Sequence, residues 1–428
     1  MTTIAPTASP SVISETKRES VSPSRSWKVP IVFAIFSAVA VLLFVVLRRG
    51  GTSVLAFTTS SDFIKIPSLP VAVDAAGIVV AVIAIAITAL GFYLVATSRR
   101  IPLWIGAIFC LALLFGFLAW SASGGTLPIP GMLAGALALS VPLIFGSMGG
   151  VLSERVGVVN VAIEGQLLAG AFTAALVASL TKSPFAGLLA AAVAGTLVSL
   201  VLAAFSIKYL VDQVIVGVVL NVLVSGLTGF FYTTVIVNLS GSVEQVNPIA
   251  IPVLSSIPII GAVLFNQTII VYVMYLAVIL VYFFLFKTRW GLRVRAVGEH
   301  PKAADTVGIN VNRTRFWTVC LAGAIAGFGG AFFTVGSGVG FAKDMTSGAG
   351  YIALAAVIFG RWDPLRATLA ALLFGSVSSL QGVLGLLHAP IPSEFMRMLP
   401  YLVTIFAVAG LVGRVRGPAA SGKPYLKG

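Results

Sequence analysis

Apolar runs of about 20 residues, one after another along most of the chain, leave few folds open. A run of that length matches the hydrocarbon thickness of a bilayer when it is helical. Backbone polar groups in lipid must be satisfied within the segment, which leaves helices or closed barrels, and unbroken runs of this kind indicate helices. The chain is 58% hydrophobic and 9% charged, against about 25% charged in an ordinary soluble domain. The fold class read from this is an all-α, polytopic transmembrane helix bundle.

About twelve candidate spans emerge on the 20-residue criterion. They are Ile31 to Leu47, Val71 to Ala96, Ile101 to Trp120, Gly131 to Met148, Val158 to Leu180, Phe185 to Ile207, Gln213 to Val237, Thr268 to Phe286, Phe316 to Gly336, Gly350 to Gly360, Ala367 to Leu387 and Met396 to Gly413. Gly350 to Gly360 is too short for a full crossing and reads as a half-span or re-entrant element, tolerable where protein or a cavity surrounds its backbone. A Gly/Pro-rich break at Ser121 to Pro130 sets the first three spans apart. The expected organisation is a disordered cytoplasmic tail over 1–28, an extra membrane module of about three spans over 29–126, a core over 127–413, and a cytoplasmic tail over 414–428. The Ser-, Thr- and Pro-rich start is too long and too polar for a secretory signal.

The net charge of +14 would point to nucleic acid in a soluble protein; here its distribution reports loop topology, and no nucleic-acid partner is expected. With both termini inside, the cytoplasmic segments collect 21 of the 27 Lys and Arg. That asymmetry favours an even number of crossings in a plasma membrane. Arg48 and Arg49 are the main violation. The densest basic interval is KTRWGLRVRAVGEHPKAADTVGINVNRTR, from Lys287 to Arg315. Within it Pro301 to Val307 predicts a short helix, because proline suits the first helical position and Gly308 can take the left-handed stop conformation. Ala303, Ala304 and Val307 fall on one small face at helical spacing, suited to docking on another protein.

Catalytic and cofactor chemistry finds little support. Cys110 and Cys320 lie inside apolar spans, so neither a disulfide framework nor a metal site is expected. His300 and His388 fall on opposite sides of the membrane in this topology. Gly417 to Lys423 reads GPAASGK and mimics a phosphate-binding loop, but Pro424 replaces the Ser or Thr that would hold magnesium, and no strand precedes it. No cofactor, no metal and no catalytic residue is predicted; the chain is read as a non-enzyme. Polar residues within the spans are the candidates for a substrate pathway: Asn160 and Glu164, one turn apart on a presumed common helix face, with Gln166 and Asn221, and Gln381 as a weaker case. Glu164 is open to two readings, a group that caps or braces the bundle and a group that meets the substrate. Gly323, Gly327, Gly329 and Gly330 read as helix-packing positions.

Three blocks carry a family resemblance: LSERVGVVNVAIEGQLLAGAF (Leu152 to Phe172), GLRVRAVGEHPKAADTVGINVNRTR (Gly291 to Arg315) and MTSGAGYIALAAVIFGRWDPLRATLAALLFG (Met345 to Gly375). Together they resemble the membrane-spanning permeases of ATP-binding-cassette (ABC) importers, in the simple-sugar and branched-chain amino-acid group, and within it the nucleoside-uptake permeases. The resemblance covers roughly Leu127 to Gly413 and leaves the first three spans uncovered. It implies a passive channel half that pairs with a related but non-identical permease, docks on cytoplasmic ATPase subunits and receives substrate from an extracytoplasmic binding lipoprotein. It also implies that Gly298, Glu299, Pro301, Ala304, Asp305, Gly308 and Ile309 belong to the segment that couples to the ATPase. Nucleosides are the expected cargo, with simple sugars the alternative. An ion-coupled secondary transporter is the competing class, and would be expected to place ionisable groups near the midplane.

Overall fold

The computed structural model describes residues 27–58, 62–99, 101–238, 244–387, 392, 394–395, 398 and 417–426. The expected tail over 1–28 up to residue 26, the candidate span Met396 to Gly413 apart from position 398, and His388 lie outside the described residues. Among the described residues ten helices are long and apolar enough to cross a membrane, and Ala349–Phe359 is a shorter apolar helix. The expected count of about twelve is therefore reached only as far as eleven segments here. The chain is a multi-pass, all-α membrane protein, and it divides into two compact units.

The first unit runs to Ser53 and resumes over Val71–Gly124. Its helices are α1 (Lys28–Val41), α2 (Val73–Ala96) and α3 (Leu103–Ser121). The rings of Phe33 and Phe109 stack at 4.4 Å, and Ser37 shares a hydrogen bond with Thr88 at 2.8 Å. Arg49, out of place by the charge rule, has a local explanation. Its guanidinium donates to the Trp120 and Ser121 carbonyls and lies 5.7 Å over the Trp120 ring. A cation there complements the carbonyl-rich end of α3.

The second unit comprises Val54–Pro70 and Gly125 onward. It contains α4 (Ile129–Arg155), α5 (Ile163–Thr181), α6 (Pro184–Ala203), α7 (Gln213–Thr234), α8 (Ile260–Leu264), α9 (Ile269–Lys287), α10 (Arg289–Glu299), α11 (Pro301–Thr306), α12 (Val311–Gly330), α13 (Ala349–Phe359) and α14 (Pro364–Leu386). The polar interval between α7 and α9 holds a two-residue antiparallel ladder, Ile249–Ala250 against Asn266–Gln267. Elsewhere Val54–Ala56 runs parallel to Thr126–Pro128.

Helix starts follow the polar residues that punctuate the apolar runs. Asp212 accepts from the Val214 and Ile215 N–H groups, Asn310 from Arg313 N–H, and Asp363 from Arg366 N–H with Pro364 at the first position. Each supplies an acceptor that the first turn otherwise lacks. In lipid, helices gain little from the hydrophobic effect between them and depend on close packing. Accordingly, glycines let α5, α6 and α12 approach: a methyl on Gly327 would strike the backbone of Ala191 and Gly195, and one on Gly170 the backbone of Gly327. The packing role expected of Gly323, Gly327, Gly329 and Gly330 is what the structure gives them; for the last two the obstructing atoms belong to Phe145 and to Leu167.

One span was misplaced by sequence pattern. The run from Val158 reads as helix, yet α5 begins only at Ile163 and Val158–Asn160 are irregular. The cause is the end of α4: Gly157 takes φ +90°, and the Val158 N–H returns to the Ser153 carbonyl at 2.9 Å. That pairing closes a helix C-terminus and turns the chain back into the bundle.

Candidate functional site

Two regions of the second unit carry polar chemistry: a knot around the start of α13, and the end of the bundle where α10, α11 and the C-terminal segment meet. The knot holds all four residues offered as a substrate pathway. Glu164 accepts from Thr346 Oγ1 at 2.6 Å, from Gly348 N–H at 2.8 Å and from Gly350 N–H at 2.6 Å. Gly348, at φ +86°, is the residue from which α13 starts. The remaining first-turn donors are also taken, Ala349 N–H by the Thr346 carbonyl and Tyr351 N–H by the Gly348 carbonyl. Glu164 is thus the cap of the half-span.

Its position follows from geometry. α13 has 11 residues, a rod of about 16 Å, and its far end carries Arg361 and Trp362, whose carbonyls accept from Arg155 at the end of α4. The knot therefore lies about 16 Å from that end of α13.

Asn160, Gln166 and Asn221 are stitched into the same scaffold. Asn160 and Gln166 exchange a pair of amide hydrogen bonds at 3.1 and 3.2 Å, and Gln166 also donates to Ser199 at 2.9 Å. Asn221 accepts from Gly165 N–H and donates to the Val161 carbonyl and the Tyr351 hydroxyl. Asn160 precedes the helix, so the common face with Glu164 expected from one-turn spacing does not exist. Of these amides only Asn221 serves the irregular backbone between α4 and α5, at the Val161 carbonyl, and Gln213 serves it too by accepting from Val159 N–H at 2.7 Å; non-helical chain inside a lipid-embedded bundle requires such partners.

Beside the knot lies a cavity of about 600 Å³, walled by α4, the chain that continues from α12, the segment before α13, the first turn of α13, and α14. Phe332, Phe333, Ser337, Ser347, Ser378 and Gln381 line it together with aliphatic residues. Of these the sequence singled out Gln381 alone. A second hollow of about 430 Å³ between α4, α9 and α12 has only apolar and Trp290 walls and offers nothing to a polar solute.

At the other region, α10 is capped by Thr288 and buries Gly291, Val294, Val297 and Gly298. Gly298 sits where a side chain would meet the Arg155 carbonyl, so the end of α10 is held against the end of α4. Arg155 and Arg295 both lie over the Phe286 ring, at 5.6 and 5.1 Å. α11 covers Pro301–Thr306, one residue short of the predicted helix, and Gly308 adopts φ +84°. The predicted docking face needs a correction. Ala304 is 3% exposed and belongs to the core, while Ala303 and Val307 point outward, Val307 at 75%. Leu292 on α10 is 61% exposed, and Arg289, Arg293 and Lys302 are exposed as well. Asp305 and Ile309 are half-buried, Glu299 and Gly308 exposed.

The C-terminal segment, expected as a cytoplasmic tail, is docked here over its described residues. Ala420 N–H donates to the Gly298 carbonyl at 2.9 Å, Ala419 N–H to the Glu299 carboxylate at 3.2 Å, and Arg315 to the Lys423 carbonyl at 3.0 Å. Tyr425 bonds Asp305; burial and then the neighbouring carboxylate raise its phenol above the ordinary value. The GPAASGK stretch is therefore a strap across the end of α10 and the start of α12. Sequence gave no sign of it, because its contacts are backbone groups from distant parts of the chain.

The branched-chain amino acid transport system / permease component family matches residues 132–408. The guanosine ABC transporter permease protein NupQ of Bacillus subtilis is 42% identical over 310 residues, 68% of this chain and 95% of that protein. The nucleoside ABC transporter permease protein NupC of Lactococcus lactis is 40% identical over 311 residues, 69% and 96% respectively. A second guanosine ABC transporter permease protein of Bacillus subtilis, NupP, is 24% identical over 298 residues, 65% of this chain and 83% of that protein. No solved structure matches.

Proposed function

This chain belongs to the branched-chain amino acid transport system / permease component family and is a membrane permease subunit of an ABC importer, and from that premise we propose that it forms half of a nucleoside pathway driven through α10 and α11. The observation that carries the coupling reading is the surface of that helix pair. Leu292 and Val307 are large apolar side chains left exposed in a segment that also carries Arg289, Arg293 and Lys302 and is too charged to lie in lipid. Apolar residues rimmed by charge are what a protein partner covers.

In this reading ATPase subunits bind that surface from the cytoplasm, with Gly298, Glu299, Pro301, Asp305, Gly308 and Ile309 holding its shape and Ala304 anchoring it to the core. Gly298 ties α10 rigidly to the end of α4, so closure of the ATPase pair moves α4, and with it the knot at Glu164. That is the rigid-body switching ATP-driven importers require. The resemblance to both NupQ and NupP, two permeases of one bacterium, supports a non-identical second permease as the other half. Delivery by an extracytoplasmic binding lipoprotein, cytoplasmic termini, and 29–126 as an added membrane module complete the proposal.

The test is co-purification with the ATPase alongside uptake of radiolabelled guanosine. Leu292→Glu with Val307→Glu should abolish both while the permease still inserts. ATPase association and uptake that survive the double change would sink the coupling assignment. Uptake that persists without the ATPase and collapses with a protonophore would instead favour ion coupling.

A further inference from the structure

The cavity beside the half-span discriminates by charge, and its walls indicate what crosses it. Among the described residues, none of those lining it is Lys, Arg, His, Asp or Glu. A half-helix starting inside a membrane bundle is ordinarily an attractive place for an anion, because its first N–H groups are free and its dipole is positive there. Here those groups are spent internally: Gly348 and Gly350 N–H on Glu164, Ala349 N–H on Thr346, Tyr351 N–H on Gly348. A phosphate or carboxylate entering the cavity would leave water and meet neither a countercharge nor an unused backbone donor.

An uncharged solute meets no such barrier. Phe332 and Phe333 offer ring faces or edges on one wall, and stacking a base on an aromatic side chain contributes about 1–3 kcal/mol. Ser337, Ser347 and Ser378 can each donate and accept, and the Gln381 amide presents both functions in one plane. A volume of about 600 Å³ is within the usual range for a small-molecule site.

We infer that this cavity is the transit site of the permease and is selective for uncharged nucleosides over their phosphates and over amino acids, with Phe332 and Phe333 facing the base and the serines and Gln381 facing its polar edge and the ribose. The inference rests on the nucleoside reading and gives it a location. Glu164 acts in it as a positioning residue, keeping the end of α13 closed to anions.

The test uses membrane vesicles carrying the assembled transporter and two photoreactive probes, an azido-purine nucleoside and its 5′-monophosphate, with attachment sites mapped by mass spectrometry. The nucleoside should label peptides containing 332–337, 346–347 or 378–381, and the monophosphate at least about tenfold less, a difference of about 1.4 kcal/mol. Phe333→Ala with Gln381→Ala should reduce labelling by a similar factor. The wild-type map is informative even where that variant fails to fold. Equal labelling by the monophosphate, or attachment confined to other segments while guanosine uptake proceeds, would overturn the site and leave the nucleoside reading standing. Vesicles that import a sugar but no nucleoside would overturn the nucleoside reading itself, and this inference with it.

Discussion

Glu164 shows how far single residues could be read. An ionisable group within an apolar run is rare enough that sequence alone marks it, and two roles were open for it; the structure shows three hydrogen bonds from it to the start of α13, which suit a brace. Its partnership with Asn160 was misread because VGVVNVA is apolar enough to pass for helix, while the closing turn at Gly157 depends on one glycine. Removing the carboxyl by Glu164→Ala leaves two backbone donors and a hydroxyl unsatisfied, a loss of about 2–4 kcal/mol. The detergent-purified protein should melt several degrees lower, with Glu164→Gln, which keeps one acceptor, falling between. Equal melting of Glu164→Ala and wild type would show that the cap contributes nothing. Gln381 was legible as polar in an apolar span, but Phe332 and Phe333 looked like ordinary membrane aromatics until the fold placed them on the cavity wall.

At the scale of elements, the short helix α11 was legible because proline and glycine punctuate it by stereochemistry, and Gly308 at φ +84° occupies the conformation that glycine adopts without strain. Which side of it faces out was not legible, since burial of Ala304 depends on where α12 and the bundle lie. Gly308→Ala should cost about 1 kcal/mol and weaken ATPase association without preventing insertion, measured by co-purification. The strap over 417–426 is the element sequence missed. Truncation before Gly417 frees the Gly298 carbonyl, Glu299 and Arg315 together, and should cut uptake by about tenfold or more while insertion is unchanged; Tyr425→Phe should be milder. Uptake at the wild-type level after truncation would reduce the strap to a passenger. Close approach of α6 and α12 at Gly195, Gly323 and Gly327 predicts that Gly327→Leu disrupts the core, since overpacking costs about 1–3 kcal/mol or more, read as loss of folded protein by size-exclusion profile.

For the whole molecule, hydropathy and length sufficed to read an all-helical membrane bundle, and the shortness of α13 was legible too, 11 residues against the roughly 20 that a crossing needs. What length could not give was the polar knot, which depends on residues from α5, α7 and the segment before α13 meeting in space. The central claim is that this chain provides a path through lipid and takes its force from a separate ATPase at the α10–α11 end, on the cytoplasmic side. A cysteine at Ala303, exposed on α11, tests it through reaction with a membrane-impermeant maleimide. Labelling in inside-out vesicles, increased when the ATPase is stripped away and absent on intact cells, is the predicted result; labelling on intact cells would contradict it.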